Sequence, residues 1–90
     1  MKRYQIKFTG RVQRVGFRYS MTQLATTYSC TGWVRNLSDG SVLTEIQGDE
    51  ISINKVLEEI QNIKYITIDD IEKYSIDIIE DEASFKVEYM

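Results

Sequence analysis

The stretch "YQIKFTGRVQRVGFRYSMTQLATTY" (residues 4–28) changes its hydrophobic period partway along, and this change decides the fold. Tyr4, Ile6 and Phe8 alternate with polar residues, a period that predicts a half-buried strand ending at Gly10. Farther along, apolar residues recur every three or four positions, which predicts a helix with one apolar face. That helix covers about residues 17–28, and its apolar face carries Phe17, Met21, Leu24, Ala25 and Tyr28.

A hairpin and a second helix are predicted next. "CTGWVRNLSDGSVLTEIQG" (residues 30–48) holds two β segments joined by Asp39 and Gly40, which would supply positive φ at a tight turn. "DEISINKVLEEIQNIK" (residues 49–64) has acidic residues at its start and Ser52 as the candidate N-cap. The apolar stripe of this second helix consists of Val56, Leu57, Ile60 and Ile63.

The last part of the chain, residues 66–90, contains two β-rich stretches. One lies around Ile76 and Ile78, the other contains Phe85, Val87 and Tyr89, and the pattern does not decide which of them pairs with the first strand. The order of elements predicts βαββαβ with a short extra C-terminal strand. Right-handed crossovers make this a ferredoxin-like α+β sandwich, an antiparallel sheet with two helices on one face. We expect a single domain spanning residues 1–90.

Composition excludes several classes of protein. No apolar run approaches the roughly 18–20 residues needed to cross a bilayer, and the first residues lack the apolar core of a signal peptide. The sequence has no His and one cysteine, Cys30, which makes a zinc site improbable and an internal disulfide impossible. We therefore expect a cytoplasmic protein with an inert, buried thiol and no metal.

Charge is divided unevenly along the chain. Residues 1–48 carry seven Lys or Arg against two acids, whereas residues 49–90 carry four Lys against twelve acids. Three of the arginines lie in "GRVQRVGFRYS" (residues 10–20), between the first strand and the first helix. An anionic ligand is therefore expected at this segment.

The basic segment has the features of an anion-binding loop. The backbone N–H groups near Val15, Gly16, Phe17 and Arg18 lie at a helix start, where they lack intrahelical partners and where the helix dipole is positive. The loop backbone expected to bind the anion is that of Arg14, Val15, Gly16 and Phe17. A loop that curls around one point can hold a phosphate, and Arg18 can add a bidentate contact. In the alternative interpretation, the arginines are surface charges and the glycines only turn the chain.

Two segments resemble the two signatures of the acylphosphatase family. "GRVQRVGFR" (residues 10–18) is similar to G-x-V-Q-G-V-x-F-R. "GWVRNLSDGSVLTEIQG" (residues 32–48) matches G-[aromatic]-V-[K/R]-N-x(3)-G-x-V-x(5)-G at every specified position. The terminal "FKVEY" (residues 85–89) resembles the family's alternating aromatic end, so the resemblance extends over the whole chain.

The resemblance implies a hydrolase that cleaves the carboxyl–phosphate bond of acyl phosphates without metal, cofactor or covalent phospho-enzyme. In this sequence Arg18 and the loop amides would hold the phosphoryl group, and Asn36 would orient the attacking water. The expected partners are a small acyl phosphate and inorganic phosphate, with no nucleic acid or membrane, and the expected state is a monomer. Without the signatures, Asn36 would be read only as a residue near a turn.

One residue departs from the signature: Arg14 stands where the family has glycine. If the loop keeps a left-handed conformation there, arginine costs roughly 1–2 kcal/mol. An alternative function is therefore a non-catalytic or weakly active module that binds anions or acyl phosphates. A second alternative is an RNA-binding ferredoxin-like domain, because "RVGFRY" resembles an aromatic RNA-binding motif. Tyr19 and Trp33 are expected to be packing aromatics.

Overall fold

A computed structural model describes residues 1–89 and contains seven regular elements. The elements are β1 (Lys2–Arg11), α1 (Phe17–Thr27), β2 (Thr31–Asn36), β3 (Val42–Gly48), α2 (Glu50–Gln61), β4 (Thr67–Ile76) and β5 (Phe85–Val87). The sheet has the strand order β4-β1-β3-β2-β5, and the two helices contact each other and the sheet. This is the predicted ferredoxin-like arrangement with its short extra C-terminal strand. That strand pairs with β2 in parallel, whereas all other pairs are antiparallel as predicted.

One hydrophobic core lies between the sheet and the helices. The predicted apolar faces supply it: alternate residues of β1, β2 and β3 point inward, and the apolar stripes of both helices are buried against them. Each fully buried aliphatic or aromatic side chain of this kind contributes roughly 1.5–3 kcal/mol to folding. The sheet residues include Ile6, Phe8, Val34, Val42 and Ile46, and the helix residues include Phe17, Met21, Ala25, Ile53, Val56 and Ile60.

The first strand does not end at Gly10, as the sequence pattern suggested. β1 continues through Gly10 to Arg11, and its register with β4 shifts between Thr9 and Gly10. A Cβ on Gly10 would lie 2.3 Å from the carbonyl oxygen of Thr67. Glycine is therefore needed here for the close approach of β4, and the strand extends far enough to deliver the next loop to the start of α1.

The β4 strand pairs with β1, which the sequence left open. β4 ends at Ile76, opposite Arg3, so the β-rich stretch predicted around Ile76 and Ile78 is right for Ile76 and wrong for Ile78, which lies beyond the last paired residue and is exposed. β5 lies at the opposite edge of the sheet. The segment between these strands, residues 77–84, therefore crosses the end of the sheet.

A buried arginine holds this crossing segment in place. Arg3 donates hydrogen bonds to Glu82 at 2.8 Å and to Glu45 at 3.0 Å. Gln47 exchanges two further hydrogen bonds with the backbone of Ile79, each 2.8 Å long. A buried guanidinium needs such partners to offset its lost hydration. Their combined effect is to fix the path of the chain into β5.

Two other details of the sequence interpretation are corrected. Ser52 is not the N-cap of α2, because the helix begins at Glu50 and its N-cap is Asp49. In the turn of the hairpin, residues 37–41, Gly40 has a positive φ of 93° and Asp39 does not. Asp39 instead accepts hydrogen bonds from the backbone N–H and hydroxyl of Ser41, and the connection is a five-residue loop, residues 37–41, closed by the Leu37 N–H on the Ser41 carbonyl.

Cys30 is buried, as predicted. Burial and, to a smaller extent, the charge of Asp49 raise the pKa of its thiol to about 11. The thiol therefore stays protonated at neutral pH, where only a thiolate would be reactive.

Candidate active site

The loop between β1 and α1 has two residues in the left-handed region. Arg14 has φ of 64°, and Gly16 has φ of 78°. They alternate with Val15 and Phe17, which are not left-handed. Alternation of this kind turns successive N–H groups toward one concave side, and such nests bind anions. The loop also keeps a left-handed backbone at residue 14, although that residue is arginine.

The start of α1 adds unpaired N–H groups to this loop. The first helical hydrogen bond runs from the N–H of Ser20 to the carbonyl of Gly16, at 2.9 Å. Within residues 1–89, the N–H groups of residues 15–19 make no backbone hydrogen bond. Phe17 anchors this end of the helix, because its ring is buried 4.9 Å from the ring of Phe8. The N–H donors of this segment and the positive end of the helix therefore lie together, next to the buried ring of Phe17.

A glutamine joins the loop to the hairpin. Gln13 Nε2 donates to the carbonyls of Leu37 and Ser41, each at 2.8 Å. Both carbonyls belong to the connection that follows Asn36, the last residue of β2. The loop and Asn36 are thereby held in a fixed relation. Sequence reasoning gave Gln13 no role, although it is one of the specified residues of the first signature.

A pocket of about 320 Å³ opens at this junction, called here the active-site pocket. It brings together five of the sequence-predicted site residues, from the loop, from α1 and from the end of β2. Val15 is the exception, because it lines a neighbouring pocket instead. The predicted residues that line the active-site pocket are Arg14, Gly16, Phe17, Arg18 and Asn36, and the others are Val12, Tyr19, Thr22, Val87 and Tyr89.

Two tyrosines at this pocket were not anticipated. Tyr19 is 70% exposed, so its interpretation as a packing aromatic is wrong. It lies on the solvent side of α1, whereas Phe17 and Met21 fill the core side. Tyr89 follows β5, is 80% exposed, and has its ring centre 5.3 Å from the guanidinium carbon of Arg18. No sequence pattern indicated this contact, because it depends on the parallel pairing of β5. Trp33 is half-buried beside Arg35, outside this pocket.

The electrostatics of the active-site pocket favour an anion. None of its lining residues among residues 1–89 is acidic, and neither Arg14 nor Arg18 forms an ion pair there. The nearest acid along the hairpin, Asp39, is engaged elsewhere, since Lys7 lies 3.2 Å from its carboxylate. Two guanidinium groups that form no ion pair within residues 1–89, together with the loop N–H groups that make no backbone hydrogen bond there, can hold a phosphate through charge-assisted hydrogen bonds.

Two other kinds of feature are absent from residues 1–89. No group of three or more His, Cys, Asp or Glu side chains is arranged to hold a metal ion. No helix of that part is long and apolar enough to cross a membrane.

Known proteins resemble this chain over its whole length. The family model described as acylphosphatase matches residues 4–87. A protein named acylphosphatase from Clostridium acetobutylicum is 47% identical over 90 residues and covers 99% of each chain. One from Oceanobacillus iheyensis is 36% identical over 91 residues, covering 99% of this chain and 100% of its own. The crystal structure of acylphosphatase from Bacillus subtilis has a TM-score of 0.91 at 32% identity, covering 99% of this chain and 100% of that chain.

Proposed function

This chain belongs to the acylphosphatase family, and from that premise we propose that it hydrolyses the carboxyl–phosphate bond of acyl phosphates to a carboxylate and inorganic phosphate. The observation that carries the proposal is the active-site pocket, where Arg18, the left-handed loop and Asn36 meet. The proposal treats residues 1–90 as one domain of this family.

The phosphoryl group binds to the loop. The N–H groups of Arg14, Gly16 and Phe17 and the Arg18 guanidinium donate to its equatorial oxygens, whereas Val15, which lines the neighbouring pocket, is left out of this assignment. Phosphoryl transfer spreads charge over those oxygens, so fixed donors aimed at them stabilise the transition state more than the bound substrate. The unpaired state of these donors and the absence of acidic lining residues within residues 1–89 support this assignment.

Asn36 orients the attacking water. Its side-chain amide can accept a hydrogen bond from water and donate another, which fixes the direction of the water lone pair. In-line attack needs such alignment more than it needs deprotonation, because the transition state is loose. The hydrogen bonds of Gln13 support this role, since they hold the connection after Asn36 against the loop.

The leaving group explains why no general acid is required. An acyl phosphate is a mixed anhydride, and its leaving carboxylate is a weak base that departs without protonation. The proton of the water can pass to a phosphate oxygen. A chain without His, the commonest general acid and base, can therefore still perform this reaction.

Two residues, Arg14 and Phe17, argue against the two alternative functions. A binding module without activity would follow if Arg14 distorted the loop, and its left-handed φ of 64° argues against that distortion. An RNA-binding surface would need Phe17 exposed for stacking, whereas this side chain is buried against Phe8. Hydrolysis of acyl phosphates is therefore the better supported function.

The test is an assay of the purified protein with benzoyl phosphate, followed by loss of its ultraviolet absorbance in the presence of EDTA. We expect turnover that EDTA does not change, because charge stabilisation comes from side chains and amides. The control substrate is p-nitrophenyl phosphate, a monoester whose turnover should be poor. Binding of phosphate without turnover of either substrate would instead support the binding module.

A further inference from the structure

A second pocket, called here the basic pocket, adjoins the active-site pocket. It has a volume of about 460 Å³ and lies between the end of β1 and the connection from α2 to β4. Arg11 brings these segments together, because it pairs with Thr67 across the sheet. Arg14 lines both pockets. The residues that line the basic pocket are Arg11, Arg14, Val15, Lys64, Tyr65 and Thr67.

Within residues 1–89, the cations of the basic pocket form no ion pair. Three of its lining residues, Arg11, Arg14 and Lys64, are positively charged, and none of its lining residues among residues 1–89 is acidic. In the same half of the chain Arg3 binds Glu45 and Glu82 and Lys7 binds Asp39, so some cations there do have acidic partners within residues 1–89. Three cations gathered without counter-charges repel one another, and an anion bound among them would relieve that repulsion.

The backbone of Arg14 gives an independent reason to assign a ligand. Its left-handed conformation would be free of strain with glycine, and arginine replaces glycine at this point of the signature. The strained residue is also the one that lines both pockets. An arginine here adds a donor between two sites for anions, which a glycine cannot do.

We propose that the basic pocket binds a second anionic group on the acyl part of the substrate. The preferred substrates are then acyl phosphates whose acyl chain carries a carboxylate or phosphate beyond the scissile bond. The phosphoryl group occupies the active-site pocket, and the distal anion contacts Arg11, Arg14 and Lys64. This inference rests on the proposed function, since it names the substrate class of the same site.

The test compares two substrates of equal length that differ in the distal charge. Succinyl phosphate carries a terminal carboxylate, and butyryl phosphate carries a methyl group. We expect the wild-type protein to have the higher kcat/KM for succinyl phosphate, mainly through KM. The preference should shrink between about 20 mM and about 500 mM salt, because exposed charges are screened.

The variants Arg11→Gln and Lys64→Gln test whether the preference for succinyl phosphate arises in the basic pocket. Each should lower the ratio of the two kcat/KM values roughly twofold to fivefold, the scale of an exposed ion pair. The matched control is Lys55→Gln, which removes the same charge from an exposed residue of α2 that lines neither pocket. The ratio should be unchanged in this control.

Several results would overturn the inference. One is a wild-type ratio at or below one in low salt, and another is an equal loss of preference in Lys55→Gln and Lys64→Gln. A binding measurement separates failure of the inference from failure of the proposed function. 4-Phosphonobutanoate should bind more tightly than butylphosphonate to the wild-type protein, and this difference should shrink in Arg11→Gln. If that holds while neither acyl phosphate is hydrolysed, the basic pocket is supported and the hydrolytic function is wrong.

Discussion

The guanidinium carbon of Arg18 lies 5.3 Å from the centre of the Tyr89 ring, so a residue near the end of the chain contacts the cation proposed to bind phosphate. The two residues come from α1 and from the segment after β5, elements that share no hairpin. A ring over one face of the guanidinium restricts its orientation and leaves the planar donor edge for the ligand. The site therefore depends on the parallel pairing of β5 with β2.

Replacing Tyr89 by Ala should weaken phosphate binding without abolishing it. An exposed cation–π contact contributes roughly 0.5–1 kcal/mol, which corresponds to about a twofold to fivefold rise in the inhibition constant of inorganic phosphate. Tyr89→Phe keeps the ring and should behave like the wild type. An equal loss in both variants would assign the effect to the hydroxyl group instead.

Arg18→Ala should remove both turnover of acetyl phosphate and inhibition by inorganic phosphate. The reason is that the guanidinium supplies the main side-chain charge at the proposed phosphoryl site. Arg35→Ala is the control, because Arg35 lies beside Trp33 and does not line the active-site pocket. Retained phosphate inhibition in Arg18→Ala would show that the loop amides alone bind the anion.

Asn36→Ala should separate binding from catalysis. Loss of a preorganised polar group that acts on the attacking water lowers kcat on the order of 10²-fold or more. Phosphate inhibition should be almost unchanged, because Asn36 is not assigned to the phosphoryl oxygens. The measurement is kcat and the phosphate inhibition constant in the same preparation. Weakened phosphate binding with intact turnover would mean that the roles of Arg18 and Asn36 are reversed.

The sequence predicted those parts of the fold and site that depend on local patterns. Periodicity gave the limits of α1 to within one residue, and the signatures pointed to Arg18 and Asn36, which line one pocket. The edge position of β4 was not predictable, because β4 is largely exposed and its pattern does not name a partner strand. The contact of Tyr89 with Arg18 was missed for the same reason, since it follows from strand pairing.

The N-cap of α2 was mispredicted as Ser52 because a capping preference does not locate the start of a helix. Ser52 and Asp49 are both residue types that cap helices, and acids near a helix start are favourable whichever residue begins it. In the structure α2 begins at Glu50, and one residue, Asp49, separates it from the end of β3 at Gly48. The tight connection between β3 and α2 sets where the helix begins. This is a tertiary constraint, which the capping preference of a single residue does not predict.

The hairpin connection should make stability sensitive to acid. Hydrogen bonds from the hydroxyl and backbone N–H of Ser41, followed by Lys7, lower the pKa of Asp39 from 3.8 to about 2. Because the folded pKa lies below the unfolded one, Asp39 contributes stability above pH 3.8, and this contribution is lost as the pH falls through about 2. Asp39→Asn should therefore lower the urea midpoint at about pH 6 and have less effect at about pH 2.

Ser41→Ala is the companion variant for this prediction. It removes the largest cause of the lowered pKa, so its loss of stability relative to the wild type should also shrink in acid. The measurement is urea unfolding of both variants and the wild type across the acid range. A destabilisation by Asp39→Asn that stays constant with pH would assign its effect to turn geometry rather than to charge.

Arg14 and Ser29 both hold a left-handed backbone without being glycine, with φ of 64° and 58°. Glycine would relieve roughly 1–2 kcal/mol of steric cost at such a position. The opposing effect is that glycine gives the unfolded chain more conformations, which lowers stability by about 0.4–1 kcal/mol where no strain exists. The two residues differ in their surroundings, because Arg14 lines the active-site pocket and Ser29 does not.

Arg14→Gly should raise stability on the order of 1 kcal/mol, with an increase in Tm of roughly 4–8 °C for a domain of this size. Ser29→Gly should raise Tm in the same direction, because the same strain is relieved. Only Arg14→Gly should change turnover of acetyl phosphate. We expect turnover to rise, because a loop that curls around phosphate accommodates a bulky arginine less well than a glycine. Arg14→Gly also removes a cation beside the phosphate, which acts against this gain. If Tm, phosphate affinity and turnover all fall in Arg14→Gly while Ser29→Gly is stabilised, the arginine contributes more to the site than its backbone strain costs.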